Sequence, residues 1–213
     1  MKKAVIFDLD GTLLNTISDL NNSINLTYKA FNINKTNTVK KTMSQVGHGI
    51  RNLISQCFVD YPDLVDSAYQ KFLEIYNDEY YKTTVPYEGI KEMIDTLLKN
   101  NIKIGVNSNK NDSYSKKLIE LNFPNINQEL VLGHIENMKV KPDPEGANLL
   151  ISKMNVGKKD VVYIGDSSTD IKTAENANID SISVTWGFRS EEELKLVAHK
   201  LVYSPQEIID YVI

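Results

Sequence analysis

Asp8-Leu9-Asp10-Gly11-Thr12 sets two carboxylates two residues apart, just after an apolar run at residues 3–7. Side chains so spaced at a strand end can point the same way, and Gly11 permits a tight turn beside them. Four fixed residues of this kind arise by chance in roughly one chain in a thousand of this size, so a plain turn signal is a poor explanation. Ser108-Asn109 follows a second apolar run, where a hydroxyl can donate to a phosphate oxygen. Alone, that dipeptide equally suits a helix cap. Lys141-Pro142-Asp143-Pro144 precedes a helical stripe; its prolines suit a helix start and hold Lys141 in a defined place. A lysine there is a compact charge able to neutralise a phosphoryl group and a nearby carboxylate. Gly165-Asp166-Ser167-Ser168-Thr169-Asp170 adds two carboxylates after a further run, and a few hard oxygen ligands plus water are what magnesium requires. A capping role for Asp170 is the alternative.

The elements that must position these groups alternate. From residue 86 onward the pattern predicts helices at Gly89–Lys99, Asp112–Leu121, Pro144–Met154, Thr169–Ala177 and Glu191–Ala198, with a last helix from Pro205. Between them it predicts strands at Ile102–Val106, Glu129–Leu132, Asp160–Ile164, Ser181–Val184 and Lys200–Tyr203. Such alternation implies an α/β fold: a doubly wound, parallel, Rossmann-like sheet covered on both faces. Ligands of these sheets bind outside the carboxyl ends of the strands, and the four clusters fall at the end of a predicted strand or the start of the following helix. Between the first strand and the second lie roughly 75 residues of helical pattern, far beyond an ordinary connection. Apolar stripes run through Ile17, Leu20, Ile24, Tyr28 and Phe31, then Ile50, Leu53, Ile54, Cys57 and Phe58. A third runs through Leu64, Val65, Ala68, Phe72, Ile75 and Tyr76. Three or four such helices can bury their stripes against one another, which predicts a small α-helical domain at 15–83 inserted into a core of 1–14 and 84–213.

The composition, 41% hydrophobic and 24% charged, is that of a folded globular chain, and a net charge of −4 gives no footprint for nucleic acid or anionic membrane. No apolar run reaches the roughly 18–20 residues of a membrane span, and Asp8 interrupts the N-terminal run too early for a signal peptide. The single cysteine, Cys57, is expected in the core, and the cytoplasm is the expected compartment. The expected partner is a small phosphorylated metabolite, bound by a monomer or homodimer.

In order and placement these clusters resemble the haloacid dehalogenase superfamily of phosphotransferases, specifically its phosphoglycolate-phosphatase-like group with a helical cap. The resemblance extends over Gly47-His48-Gly49, the run at 141–146 and Trp186-Gly187. It implies that Asp8 is the nucleophile, forming an aspartyl-phosphate, and that Asp10 serves as acid and then base. It implies Mg2+ held by Asp8, the Asp10 carbonyl and Asp166, with Asp170 supporting from behind. Ser108, Asn109 and Lys141 would hold the phosphoryl oxygens, with Thr12 making a supporting hydrogen bond near Asp10. Gly47, His48 and Arg51 of the cap are expected to meet substrate; Arg51 is one of two arginines, and guanidinium matches a carboxylate bidentately. Asn15 replaces an acid common at the start of the cap. Asn178 replaces a helix-ending glycine, a place where asparagine is next best.

A small phosphomonoester is the implied substrate, 2-phosphoglycolate first. Pyrophosphate and sugar phosphates are the alternatives, and an inactive binding module is the alternative of another class. Asp8 and Asp10 are both present, which argues against the inactive module. Asp10 also argues against dehalogenation, which does not need that acid. The cap sequence Val46-Gly47-His48-Gly49-Ile50-Arg51 lacks the Ser-Arg-Glu-type run of the sugar-phosphate mutases.

Overall fold

A computed structural model describes residues 1–213, which divide into two compact units, Met1–Leu14 with Pro86–Ile213 and Asn15–Val85. In the first, strands β1 (Ala4–Phe7), β4 (Lys103–Asn111), β5 (Val131–His134), β6 (Val161–Gly165), β7 (Asp180–Val184) and β8 (Leu201–Val202) form one sheet. Its order is β5-β4-β1-β6-β7-β8, and every pairing is parallel. The chain runs from β1 out to β4 and β5, then returns to the other side of β1 for β6. The order therefore reverses at β1, and the carboxyl ends of β1, β4 and β6 border the crevice where such folds bind ligands.

All four residues of β1 and all five of β6 are buried, as expected of strands covered on both faces. Alternation sends Ala4 and Ile6 to one face, where with Val161 and Tyr163 they meet α7 (Glu145–Met154) and α8 (Ser168–Ala177). That core closes around Ala147, Leu150, Ile151, Met154, Ala174 and Ala177. Fully burying a leucine, isoleucine or methionine side chain of this kind contributes about 1.5–3 kcal/mol. Helices α5 (Ile90–Lys99), α6 (Asp112–Asn122), α9 (Glu191–Lys195) and α10 (Pro205–Val212) complete the unit.

Three elements differ from the sequence pattern by more than one residue at an end. Strand β4 runs on to Asn111, so Ser108 and Asn109 lie within it rather than after it. Strand β5 begins at Val131, because Asn127 accepts from Glu129 N and caps a 3-10 turn over Gln128–Leu130. Helix α9 ends at Lys195, short of the predicted Ala198.

The second unit consists of α1 (Ile17–Ala30), α2 (Val39–Gln45), α3 (Ile50–Cys57) and α4 (Val65–Glu79). Helix α1 packs on α4 and α2, and α3 packs on α4. Leu20, Ile24, Tyr28, Leu53, Ile54, Cys57, Phe58, Ala68, Phe72 and Tyr76 fill the interior between them. Cys57 is a buried free thiol whose pKa burial pushes up, as suits a packing residue. Helix α2 carries mostly polar residues, VKKTMSQ, and so belongs to none of the three apolar stripes.

Short strands β2 (Leu14–Asn15) and β3 (Val85–Pro86), where the chain crosses between the units, pair with each other. Just inside, Asn15 Oδ1 accepts from Ile17 N at 3.5 Å, a long contact at the start of α1. The acid at this end of the helical unit is Asp19, which is 2% exposed. Its carboxylate accepts from Thr83 N and Thr83 Oγ1, and from Thr84 N and Thr84 Oγ1, at 2.6–3.0 Å. Removing that acceptor strands the buried Thr84 N–H, at a cost of about 1–3 kcal/mol, while the exposed Thr83 can turn to water. Asp19→Ala is therefore expected to destabilise the helical unit by about 1–3 kcal/mol. Native-state hydrogen exchange of α1 and α4 amides measures this; unchanged exchange would show that the clamp contributes nothing. No helix is long and apolar enough to cross a membrane.

Candidate active site

Asp8 follows β1 directly, and its backbone N–H donates to Ile164 O of β6, which continues the parallel ladder by one residue. Lys141 Nζ lies 2.8 Å from Asp8 Oδ1 and 2.7 Å from Asp170 Oδ1. Leu9 N also donates to Asp8 Oδ1, at 2.7 Å. The Lys141 side chain is 5% exposed and lies over the Tyr163 ring. Burial opposes its charge, yet Asp170 and Asp8 hold it protonated well above the ordinary lysine range.

Asp166, after β6, comes from the other side of β1. Its Oδ2 accepts from Phe188 N at 2.6 Å. Ligand oxygens of Asp8, Asp166 and Asp170 all lie within 4.8 Å of one another. Burial raises the Asp8 carboxyl well above its usual range, against the pull of Lys141, and Asp170 and Asp166 raise it further. Burial, then Asp170, pushes Asp166 up to about 7. Three desolvated carboxylates in mutual repulsion form a set that could hold a divalent cation, whose charge would offset both effects. Asp170 is committed on both oxygens: Oδ1 to Lys141, Oδ2 to Ser167 N at 3.1 Å and Ser167 Oγ at 2.6 Å. It therefore caps α8, the alternative the sequence offered to a place in a magnesium site, and also anchors Lys141, while remaining one of the three clustered carboxylates. Asn178 ends that helix in the left-handed conformation, φ 55°.

Asp10 sits on the turn after β1, where Gly11 N donates to Leu14 O and Gly11 has φ 84°. A Cβ at Gly11 would stand 2.4 Å from Asp166 Oδ2, so glycine serves both the turn and the close approach. Thr12 is placed differently from expectation. Its Oγ1 is buried and makes no hydrogen bond within the protein. What Thr12 supplies instead is its carbonyl, which accepts from Trp186 Nε1 at 3.1 Å.

On β4, Ser108 Oγ accepts from Lys110 N at 3.2 Å. Asn109 meets Lys141 instead, on a stretch where the register of β4 against β5 shifts. Its Nδ2 donates to Lys141 O at 3.1 Å and its Oδ1 accepts from Lys141 N at 2.8 Å. The amide thus clamps the Lys141 main chain and positions the lysine.

In the helical unit, Gly47 (φ 122°) and Gly49 (φ 83°) shape the turn into α3. His48 on that turn is exposed. Arg51 is 61% exposed, pairs with Asp66 and lies 5.4 Å from the centre of the Tyr69 ring.

Sequence reasoning missed two participants. Lys110 Nζ bonds both oxygens of Asp10, at 3.0 and 3.1 Å. Gly187 gives way to Asp166: a Cβ there would stand 2.3 Å from Asp166 Cβ. The signal for Gly187 was present, since Trp186-Gly187 stood out without an assigned task.

Comparison with known proteins agrees with this arrangement. Residues 5–184 match the family described as haloacid dehalogenase-like hydrolase. A phosphoglycolate phosphatase of Agrobacterium fabrum is 32% identical over 86% of this chain and 80% of its own length. The pyrophosphatase PpaX of Listeria monocytogenes is 26% identical over 89% of this chain and 86% of its own. A crystal structure from Lactobacillus delbrueckii subsp. bulgaricus has a TM-score of 0.90 and 28% identity, over 100% of this chain and 99% of that one. With a parallel Rossmann-like core, an inserted helical cap and buried carboxylates where the strand order reverses, this chain belongs to the haloacid dehalogenase-like hydrolases.

Proposed function

We propose that the protein is a magnesium-dependent phosphatase acting on a small phosphomonoester through an aspartyl-phosphate at Asp8. The observation that supports this most is the Lys141 bridge from Asp8 to Asp170 within a buried group of carboxylates. Both hydrogen bonds to the Asp8 carboxylate fall on Oδ1, so Oδ2 carries the attack. In the first half-reaction that oxygen bonds phosphorus while the bond from phosphorus to the leaving oxygen breaks, and Asp10 gives the leaving oxygen its proton. In the second, Asp10 takes a proton from water, the water oxygen bonds phosphorus, and the bond to Asp8 breaks to release phosphate. Lys141 and Ser108 hold the transferring oxygens. Asp8, Asp166 and the Asp10 main chain would hold Mg2+, which when bound offsets repulsion between an anionic nucleophile and an anionic phosphate.

As substrate we propose 2-phosphoglycolate, supported by the relative of that activity at 32% identity. Pyrophosphate is the second reading, favoured by the relative named for it. The core residues address the phosphoryl group common to both, so the choice falls to the cap, and Arg51 is the proposed reader of a substrate carboxylate. Its pair with Asp66 is exposed, a kind worth about 0–1 kcal/mol, and yields readily to a better anion. Arg51→Ala is then expected to lower kcat/KM for 2-phosphoglycolate by about tenfold to a few hundredfold, the scale of a charged hydrogen bond. Hydrolysis of p-nitrophenyl phosphate, which has no carboxylate, should change much less. A panel of phosphomonoesters and pyrophosphate measures both; equal losses on all, or none, would remove Arg51 from the site.

A further inference from the structure

We propose that Lys110 is a positioning residue for Asp10, holding its carboxylate in the one orientation from which it serves both half-reactions. The proposal rests on the reading of Asp10 as acid and base given above.

Geometry carries the case. The Lys110 ammonium meets the two oxygens of Asp10 almost symmetrically, at 3.0 and 3.1 Å. Its side chain is 2% exposed, against 16% for Asp10. Burying an ammonium is costly unless it is paired and hydrogen-bonded, so this lysine is placed for its partner. Asp10, by contrast, stands on a tight turn beside a glycine, where an unheld side chain would spread over its staggered rotamers. A reacting group displaced by about 1 Å can lose roughly a hundredfold in rate.

Main-chain contacts fix the lysine in turn. Lys110 N donates to Ser108 Oγ at 3.2 Å, and Lys110 O accepts from Ser115 Oγ of α6 at 3.3 Å. Asn109 and Lys110 thus divide the work on a stretch where the register of β4 against β5 shifts: Lys110 reaches Asp10, while Asn109 clamps the Lys141 main chain. The two buried lysines are correspondingly divided: Lys141 on the nucleophile, Lys110 on the acid and base.

The test is a double-mutant cycle with Mg2+ and rapid quenching. Lys110→Met, Lys110→Arg and Asp10→Asn are made singly, and Lys110→Met is also combined with Asp10→Asn. Substrates are p-nitrophenyl phosphate, whose leaving group needs no proton, and 2-phosphoglycolate, whose leaving group does. Lys110→Met should slow hydrolysis of the phosphoenzyme by about 10- to 100-fold, within the range of acid–base assistance. Phosphoenzyme should then build up with p-nitrophenyl phosphate, and formation of phosphoenzyme should suffer mainly with 2-phosphoglycolate. Lys110→Arg should recover most of the loss. In the Asp10→Asn background, Lys110→Met should cost less than about threefold more, the mark of two residues acting through one group. Equal losses in both backgrounds, or slowing without phosphoenzyme accumulation, would overturn the proposal and place Lys110 on the phosphoryl group or in the fold alone. If Asp10→Asn by itself leaves both half-reactions at the wild-type rate, the failure lies in the acid–base reading, and the proposal falls with it. Should Lys110→Met not fold, Lys110→Gln, which keeps a donor, carries the same cycle.

Discussion

Asp8→Asn should abolish turnover and leave the protein folded. Asp8 is the carboxylate that Lys141 holds at the carboxyl end of the central strand, and an amide cannot accept a phosphoryl group in its place. Loss of a covalent nucleophile costs roughly 10⁴- to 10⁶-fold in kcat. The fold should tolerate the change, because Asp8 is one of three desolvated carboxylates that repel one another. Lys141 keeps its 2.7 Å bond to Asp170 as its remaining anionic partner. In the presence of chelator the variant should melt no lower than wild type. Steady-state kinetics and a thermal scan decide; a folded variant retaining a tenth of wild-type kcat would remove Asp8 from the nucleophile's role.

The second large effect concerns the cation. In excess chelator activity should fall to background, and magnesium should restore it. Calcium should bind and inhibit, since it takes more ligands at longer distances than magnesium and would misplace nucleophile and phosphate. The repulsion among Asp8, Asp166 and Asp170 is an electrostatic cost of the metal-free fold. Magnesium should therefore stabilise the protein, by about 2.7 kcal/mol at a hundred times its dissociation constant. Asp166→Asn should weaken both effects. Full activity in excess chelator would contradict the metal's part in the reaction.

Much of this site is legible in the sequence because it is assembled from strand ends. Asp8 and Asp166 each close a strand, Ser108 lies on β4 just past its pairing with β1, and a parallel sheet gathers such positions at one edge whatever lies between them. Residue type and spacing therefore suffice to find them. What the sequence hides are pairings between distant positions that no local pattern marks. Lys110 and Asp10 are 100 residues apart, and Lys110 reads as one more surface lysine until the sheet places β4 beside β1. Asp19 meets Thr83 across 64 residues, and a carboxylate in the first turn of a helix suggests only a favourable dipole. Asn109 is a further case: its amide meets the Lys141 main chain across 32 residues, which the Ser-Asn dipeptide does not announce. Helix α2 is lost because its short polar run has no apolar stripe to reveal it.

The most direct test of the account is to look for the covalent intermediate. Asp10→Asn protein is mixed with p-nitrophenyl phosphate and magnesium, quenched in acid within milliseconds, digested and read by mass spectrometry. This variant should form the intermediate from a good leaving group and hydrolyse it slowly. The account predicts a phosphoryl adduct on the peptide that spans Asp8, located on Asp8 itself and lost from Asp8→Asn protein. Continued turnover with no adduct, or an adduct on a different residue, would contradict it.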